Sequence, residues 1–329
     1  MTRSVVERTG IRLDAIPDIL PSDQTPVVFR GAASHWPLVG EQSPDRFITK
    51  LRAYDAGRPF VCYRAQAGSD GRYGYTPDVK SLNFEKQSMP FDTFAQALMA
   101  FLKGDSDQSV FAPSVHLETF FPLLRSAIDA LHQLPSALVQ AWLGGRSLIP
   151  THFDSQQNLA CCVVGRRRFT LFPPDQIENL YIGPLDLTPA GQPISLADSV
   201  EAYPTLDQAL ACAWVAELEP GDVLYLPAMW WHQVEGLADI NLMINYWWRS
   251  LPSHHGDAMH ALFHAMLSVR DLPTPEKKAW IGLFDHYVFG NTGDGRFDHI
   301  PANAKGRLGE IDENRARQMR AQLLQALNR

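Results

Sequence analysis

Between residues 141 and 249, apolar residues come in short runs separated by Gly and Pro turns. Leu159–Val164, Arg168–Phe172, Trp214–Leu218, Val223–Leu226, His232–Glu235 and Asn241–Trp248 are rich in Val, Leu, Phe, Tyr and Trp. Runs of this length and type predict β-strands, and so many at this spacing predict a sandwich or a jelly-roll barrel. Upstream the pattern is mixed. Residues 26–31 predict a short strand and turn, 45–54 a helix, and 60–63 another strand. Residues 66–89, rich in Gly, Ser, Tyr and Asp, predict a long loop of the functional or mobile kind. Pro90 opens a helix with Phe94, Leu98, Phe101 and Leu102 on one face, and Gly104 stops it. Residues 117–133 are predicted to be helical again.

After Arg249 the texture turns helical. Thr274-Pro275-Glu276 predicts a capped helix start, followed by a Trp280, Phe284, Val288 stripe that Gly290 ends. Residues 311–328 carry Met319, Leu323 and Leu327 on one narrow face. The expected plan is mainly β with flanking helices: a domain over 1–250, with its β core at about 141–249, and a helical region over 251–329.

Composition narrows the function classes. Hydrophobic content of 45% against 20% charged excludes global disorder. A net charge of −7 argues against a nucleic-acid partner held by bulk attraction. The four cysteines, Cys62, Cys161, Cys162 and Cys212, form no CxxC pair and read as buried hydrophobes in a reducing compartment. Adjacent Cys161 and Cys162 would point to opposite faces of a strand. The first 18 residues have no apolar core of a signal peptide, and no apolar run is long enough to span a membrane. A cytoplasmic protein is expected.

His152-Phe153-Asp154 falls where a strand of the β region is expected to begin. Residues i and i+2 of a strand share a face, so the imidazole and the carboxylate would project into the barrel together. His232 is the best third ligand, reached after the turn Pro220-Gly221-Asp222, a strand, a proline break and Trp230-Trp231. Two His and one carboxylate with open positions suit a non-haem Fe(II) site. The spacing alone is not selective, because His255-Gly256-Asp257 repeats it. That copy precedes a helical stretch, where i and i+2 diverge.

Neighbouring residues carry more. His152-Phe-Asp154-Ser-Gln-Gln-Asn158, Gly165-Arg-Arg-Arg-Phe-Thr-Leu-Phe-Pro-Pro174, Gly221-Asp-Val-Leu-Tyr-Leu-Pro227 through His232, and Asn245-Tyr-Trp247 follow in order. This run resembles the JmjC, or cupin-like, 2-oxoglutarate oxygenases. It looks nearest to the subgroup containing the asparaginyl hydroxylase that acts on hypoxia-inducible factor. Similarity is dense over 141–249, weaker over 20–140, and slight beyond.

The resemblance implies a double-stranded β-helix holding Fe(II) through His152, Asp154 and His232, the catalytic centre. It implies 2-oxoglutarate and O2 as co-substrates. Arg167 stands where the family usually has a lysine for the distal carboxylate. Arginine keeps the charge and offers a fork, although its reach differs. Arg167 shares parity with Phe169 and Leu171, whereas Arg166 and Arg168 face the other way. Asn158, Asn245, Trp247 and Tyr75 match positions that contact the co-substrate or wall its pocket. Ile149 departs from a threonine there.

The expected activity is hydroxylation of a protein or peptide side chain, with substrate entering under the 66–89 loop. A small-molecule substrate comes next, then demethylation or nucleic-acid hydroxylation, and the alternatives from other classes are a non-catalytic metal-binding cupin and a zinc hydrolase using the same ligands. The last two leave Arg167, Asn158 and Asn245 without a task. A homodimer through the C-terminal helices is also expected, since one helix cannot bury the Met319, Leu323, Leu327 stripe alone.

Overall fold

In the computed structural model, which describes residues 3–134, 136–290 and 295–328, the chain divides into two compact units, Met1–Ser250 and Leu251–Arg329. The first carries the strands. They begin with β1 (Arg3–Ser4), β2 (Val6–Arg8), β3 (Val27–Phe29), β4 (Phe60–Ala65), β5 (Phe84–Met89), β6 (Val110–His116) and β7 (Leu138–Gly144). β8 (Ser147–His152), β9 (Gln157–Val164), β10 (Arg167–Phe172) and β11 (Trp214–Leu218) follow. β12 (Val223–Leu226), β13 (Trp231–Gly236) and β14 (Asn241–Trp248) complete the unit.

Two sheets result. The smaller runs β1-β11-β10-β13-β8, and the larger runs β2-β3-β12-β9-β14-β7-β6-β4-β5. From β7 to β14 the chain crosses repeatedly between them, so each sheet contains antiparallel neighbours from opposite ends of that stretch. This is the double-stranded β-helix, a jelly roll. The fold is mainly β with flanking helices.

Alternation sorts the side chains. On β9, Leu159, Cys161 and Val163 face a core shared with Phe94 and Leu98 of the helix Phe91–Leu102. Ala160 and Cys162 face the other way, into a core between the sheets with Phe169, Leu171 and Val234. Adjacent cysteines on opposite faces are therefore found as read. All four cysteines are free. The inter-sheet space is where even-numbered residues of β9 and odd-numbered residues of β10 and β14 converge. Asn158, Arg167 and Asn245 have that parity.

Several upstream expectations need correction. Residues 84–89 are strand β5, not loop. Phe84 and Met89 are buried, but the residues between them, including the exposed Glu85 and Lys86, show no period-two alternation. β5 ends its sheet, and charged side chains are usual on such an edge. β6 escaped notice because Pro113 interrupts it and a bulge lies between Ala112 and Val115, with Ser114 at φ 51°. Residues 117–133 hold only Leu117–Phe120 and Pro122–Ala127 as helix, with the break at Phe121 before Pro122.

The second unit contains the helices Ala258–Ser268, Thr274–Phe284 and Glu313–Leu327. Thr274 lies inside its helix rather than capping it, and Pro273 occupies the cap position. Among the described residues of this unit, Ala316 alone has a buried hydrophobic side chain. No helix among the described residues is long and apolar enough to cross a membrane.

Candidate metal centre and its pocket

The β8–β13 register sets His152 directly opposite His232, with ring centroids 4.2 Å apart. His152 is the last residue of β8, so the strand ends at the motif instead of beginning there. Asp154 reaches the same place from the turn into β9. Phe153 is buried edge-on against Trp231, with centroids 5.0 Å apart and planes at 81°. The Asp154 carbonyl accepts a hydrogen bond from the Met229 amide at 2.8 Å, which ties the two ligand-bearing loops together. Met229 itself adopts φ 69°, a conformation that non-glycine residues hold only when their surroundings impose it. One ligand atom each from His152, Asp154 and His232 lies within 4.8 Å of the others.

Hydrogen bonding fixes which nitrogens face inward. His152 Nδ1 lies 2.8 Å from the Pro150 carbonyl, and His232 Nδ1 lies 3.0 Å from the Trp230 carbonyl. A carbonyl can only accept, so both Nδ1 atoms carry hydrogen, and Nε2 is the nitrogen each ring has left for a metal. His232 Nε2 is 3.7 Å from Asp154 Oδ2. Burial holds His232 well below the usual histidine range, and nearby His152 adds to this against the Trp230 carbonyl. Burial raises Asp154, with His152 opposing.

His232 therefore stays neutral and ready to ligate at neutral pH. In the metal-free protein it also refuses a proton that the unfolded chain accepts below about pH 6.5. Stability from this group is present above that pH and lost as pH falls through it. Urea unfolding of metal-free protein between pH 7.5 and 5.5 should show a steeper acid loss for wild type than for His232→Gln. The gap should approach about 1.4 kcal/mol per pH unit. Parallel slopes would contradict the assignment.

The far end of the cavity is built by β10. Gly165, at φ +76°, makes the tight turn into that strand, and a Cβ there would sit 2.4 Å from the Ile240 carbonyl. Three consecutive arginines then alternate. Arg166 is exposed, and Arg168 pairs with Glu217 at 2.7 Å. Arg167 is 1% exposed. Its Nη2 donates to the Trp142 carbonyl at 3.3 Å, its Nε has no partner in the protein, and among the described residues no carboxylate pairs with it. Burial pulls it down to about 10, which still leaves it a cation at neutral pH.

Asn245 Nδ2 donates to Asn158 Oδ1 at 2.7 Å, while Asn245 Oδ1 is unpartnered. Trp142 and Trp247 meet edge to face at 5.7 Å, and neither indole N–H has a partner. These four residues, Arg167 and the His152, Asp154, His232 triad all line one cavity. Trp142 was not singled out in the sequence, although its alternation with the buried Ala141 and Leu143 on β7 carried the signal. Ile149 also lines the cavity, while Thr151 does not. Tyr75 is not brought to this cavity. Its hydroxyl donates to the Leu187 carbonyl at 2.9 Å, and its ring packs against Gly183 in the segment between β10 and β11. The second His-x-Asp stays in the other unit, where Asp257 caps a helix by accepting from the Met259 amide at 2.9 Å.

Comparison with known families matches this architecture. The cupin-like domain family aligns with residues 18–254, from before β3 to beyond β14. The chain belongs to the cupin-like domain family. Among cupin-like relatives, the lysine-specific demethylase JMJ31 of Arabidopsis thaliana is 25% identical over 267 residues, covering 70% of this chain and 48% of that protein. The tRNA wybutosine-synthesizing protein 5 of Danio rerio is 26% identical over 231 residues, 60% of this chain and 66% of its own. The Jumonji C domain-containing protein 5 of Drosophila melanogaster is 34% identical over 112 residues, 33% of this chain and 27% of its own. This cupin-like chain thus spans about half or less of the first curated relatives it matches.

Proposed function

We propose that the protein is an Fe(II)- and 2-oxoglutarate-dependent oxygenase that hydroxylates a protein or peptide side chain. The observation that carries this is Arg167, a buried, carboxylate-free cation lining the cavity of a two-histidine, one-carboxylate triad. The residues fit the group they would hold. Each histidine has Nε2 left to ligate, the carboxylate lies beside them, and three protein ligands leave positions open for a chelating co-substrate and oxygen. When bound, iron and 2-oxoglutarate would split dioxygen, one atom entering a substrate C–H bond as hydroxyl and the other succinate, with loss of CO2.

The chain's own residues orient this chemistry. Arg167 would neutralise the distal carboxylate, which would otherwise be buried unpaired at high cost. The indole N–H groups of Trp142 and Trp247 and the Asn158–Asn245 amide pair add hydrogen-bonding edges on the same walls. Hydroxylation as the outcome rests on the expected resemblance of the motif run to asparaginyl hydroxylases, whereas the matched relatives carry demethylase and wybutosine-synthesis names. Four free cysteines support a reducing, cytoplasmic setting. Incubation with Fe(II), 2-oxoglutarate and oxygen should release succinate. Absence of both succinate and metal-dependent 2-oxoglutarate binding would reject the reading.

We also infer a homodimer through residues 251–329. Leu323 and Leu327 are 50% and 55% exposed on a helix whose unit buries almost no apolar side chain, and contiguous exposed apolar surface marks association sites. Sedimentation at micromolar concentration should give a dimer that Leu323→Asp with Leu327→Asp converts to monomer. A wild-type monomer would reject it.

A further inference from the structure

A second cavity adjoins the metal-centre cavity and shares Phe111, Trp142, Ile149 and His152 with it. Tyr63 and Tyr73 complete its walls, and Pro189, Ala190, Gln192 and Ile194 line its other side. Residues 66–83 thus supply one wall, through Tyr73, while the segment between β10 and β11 supplies the opposite side. That segment is fastened. Tyr63 Oη donates to the Pro189 carbonyl at 3.1 Å, and the Ser195 amide donates to the Thr151 carbonyl at 2.7 Å.

The chemistry of the lining is uniform. No Asp, Glu, Lys or Arg contributes to it. Tyr63 already uses its hydroxyl on Pro189, and Tyr73 shares a 3.0 Å hydrogen bond with Ser109. Burial raises both phenols, so they stay neutral. The rings brace one another, with Tyr73 and Phe111 centroids 5.3 Å apart and Phe111 and Trp142 6.1 Å apart. Such a wall gains by covering apolar surface and offers a buried charge no counter-ion.

Resting on the oxygenase reading, we infer that this cavity is the substrate subsite and takes an uncharged, apolar or aromatic side chain of a peptide. A polynucleotide is disfavoured by the net charge of −7, since affinity for phosphate backbones comes from cations. His152 belongs to both cavities, which puts the end of the bound side chain beside the triad.

The test uses capped tripeptides, acetyl-Gly-Xaa-Gly-amide, with Xaa as Leu, Phe, Glu, Lys or trimethyl-lysine. Each is titrated calorimetrically into full-length protein loaded with Mn(II), with and without 2-oxoglutarate. The Leu and Phe peptides should bind about 10-fold or more tightly than the charged ones, and with Fe(II) they should raise succinate release. Ala190→Trp, at the exposed edge of the lining, should abolish that preference and leave 2-oxoglutarate binding unchanged. Gln192→Glu should move the preference toward Lys.

Preference of the wild type for Lys or trimethyl-lysine overturns the inference, as does binding of an RNA hairpin in place of peptides. Absence of peptide binding with 2-oxoglutarate binding intact also overturns it and leaves the oxygenase reading standing. Failure of 2-oxoglutarate to bind overturns the oxygenase reading instead, and the calorimetry still decides the subsite.

Discussion

Arg167→Ala should weaken 2-oxoglutarate by about 2–5 kcal/mol, the range for truncating one partner of a buried charge pair, while divalent-metal affinity stays close to wild type. 2-Oxoglutarate is a dianion. Metal bound by His152, Asp154 and His232 would neutralise only its keto-acid end. Arg167 is the buried cation at the other end, and its Nε has no protein partner to give up. Arg167→Lys should restore part of the loss, because it keeps the charge and loses the fork. Arg166→Ala, on the exposed face, should change little. The same residue makes an opposite prediction for the unliganded protein. No carboxylate is orphaned when Arg167 is removed, so Arg167→Met should unfold at a temperature equal to or above wild type. Calorimetric titration and thermal unfolding separate the two effects. Wild-type affinity in Arg167→Ala would mean that another group holds the distal carboxylate.

Asp154→Ala is expected to remove turnover and to lower divalent-metal affinity by more than about 100-fold, since even groups that merely orient a ligand are worth about 10–100-fold. Loss of the carboxylate leaves two imidazoles and no anionic ligand. The fold should survive, because burial disfavours the ionised form of Asp154 and alanine relieves that cost. Its backbone carbonyl, which holds the Met229 amide, remains in place. Asp257→Ala is the matched control. It removes a helix cap worth about 1 kcal/mol and should leave metal affinity and turnover untouched. Equal loss in the two variants at matched folding would sink the assignment of Asp154.

Much of the barrel was legible because its strands are buried on both faces and bounded by turn residues. Trp214–Leu218, Val223–Leu226 and Asn241–Trp248 fall where the runs of Val, Leu, Tyr and Trp placed them. Parity did the rest for Arg167, since period-two alternation separates it from Arg166 and Arg168 whatever the strand packs against. Where tertiary context overrides local pattern, reading failed. β5 buries only its two end residues, with charged and polar edge residues between them, and β6 contains a proline and a bulge. Asp154 joins the triad from a turn, so its geometry depends on the Met229 loop rather than on strand alternation. Tyr75 was placed by likeness across a loop. The structure gives its hydroxyl to Leu187, in a segment between β10 and β11 whose path no periodicity encodes.

One cavity is expected to bind a metal at one end and a 2-oxoglutarate carboxylate at the other. Anaerobic calorimetric titration of 2-oxoglutarate into the protein, with and without Mn(II), tests it most directly. Binding should be saturable and one-to-one with metal, weaker by at least about 10-fold without it, and not measurable in the Asp154→Ala, Arg167→Ala double variant. Binding of equal strength with and without metal, or retained in the double variant, would contradict it.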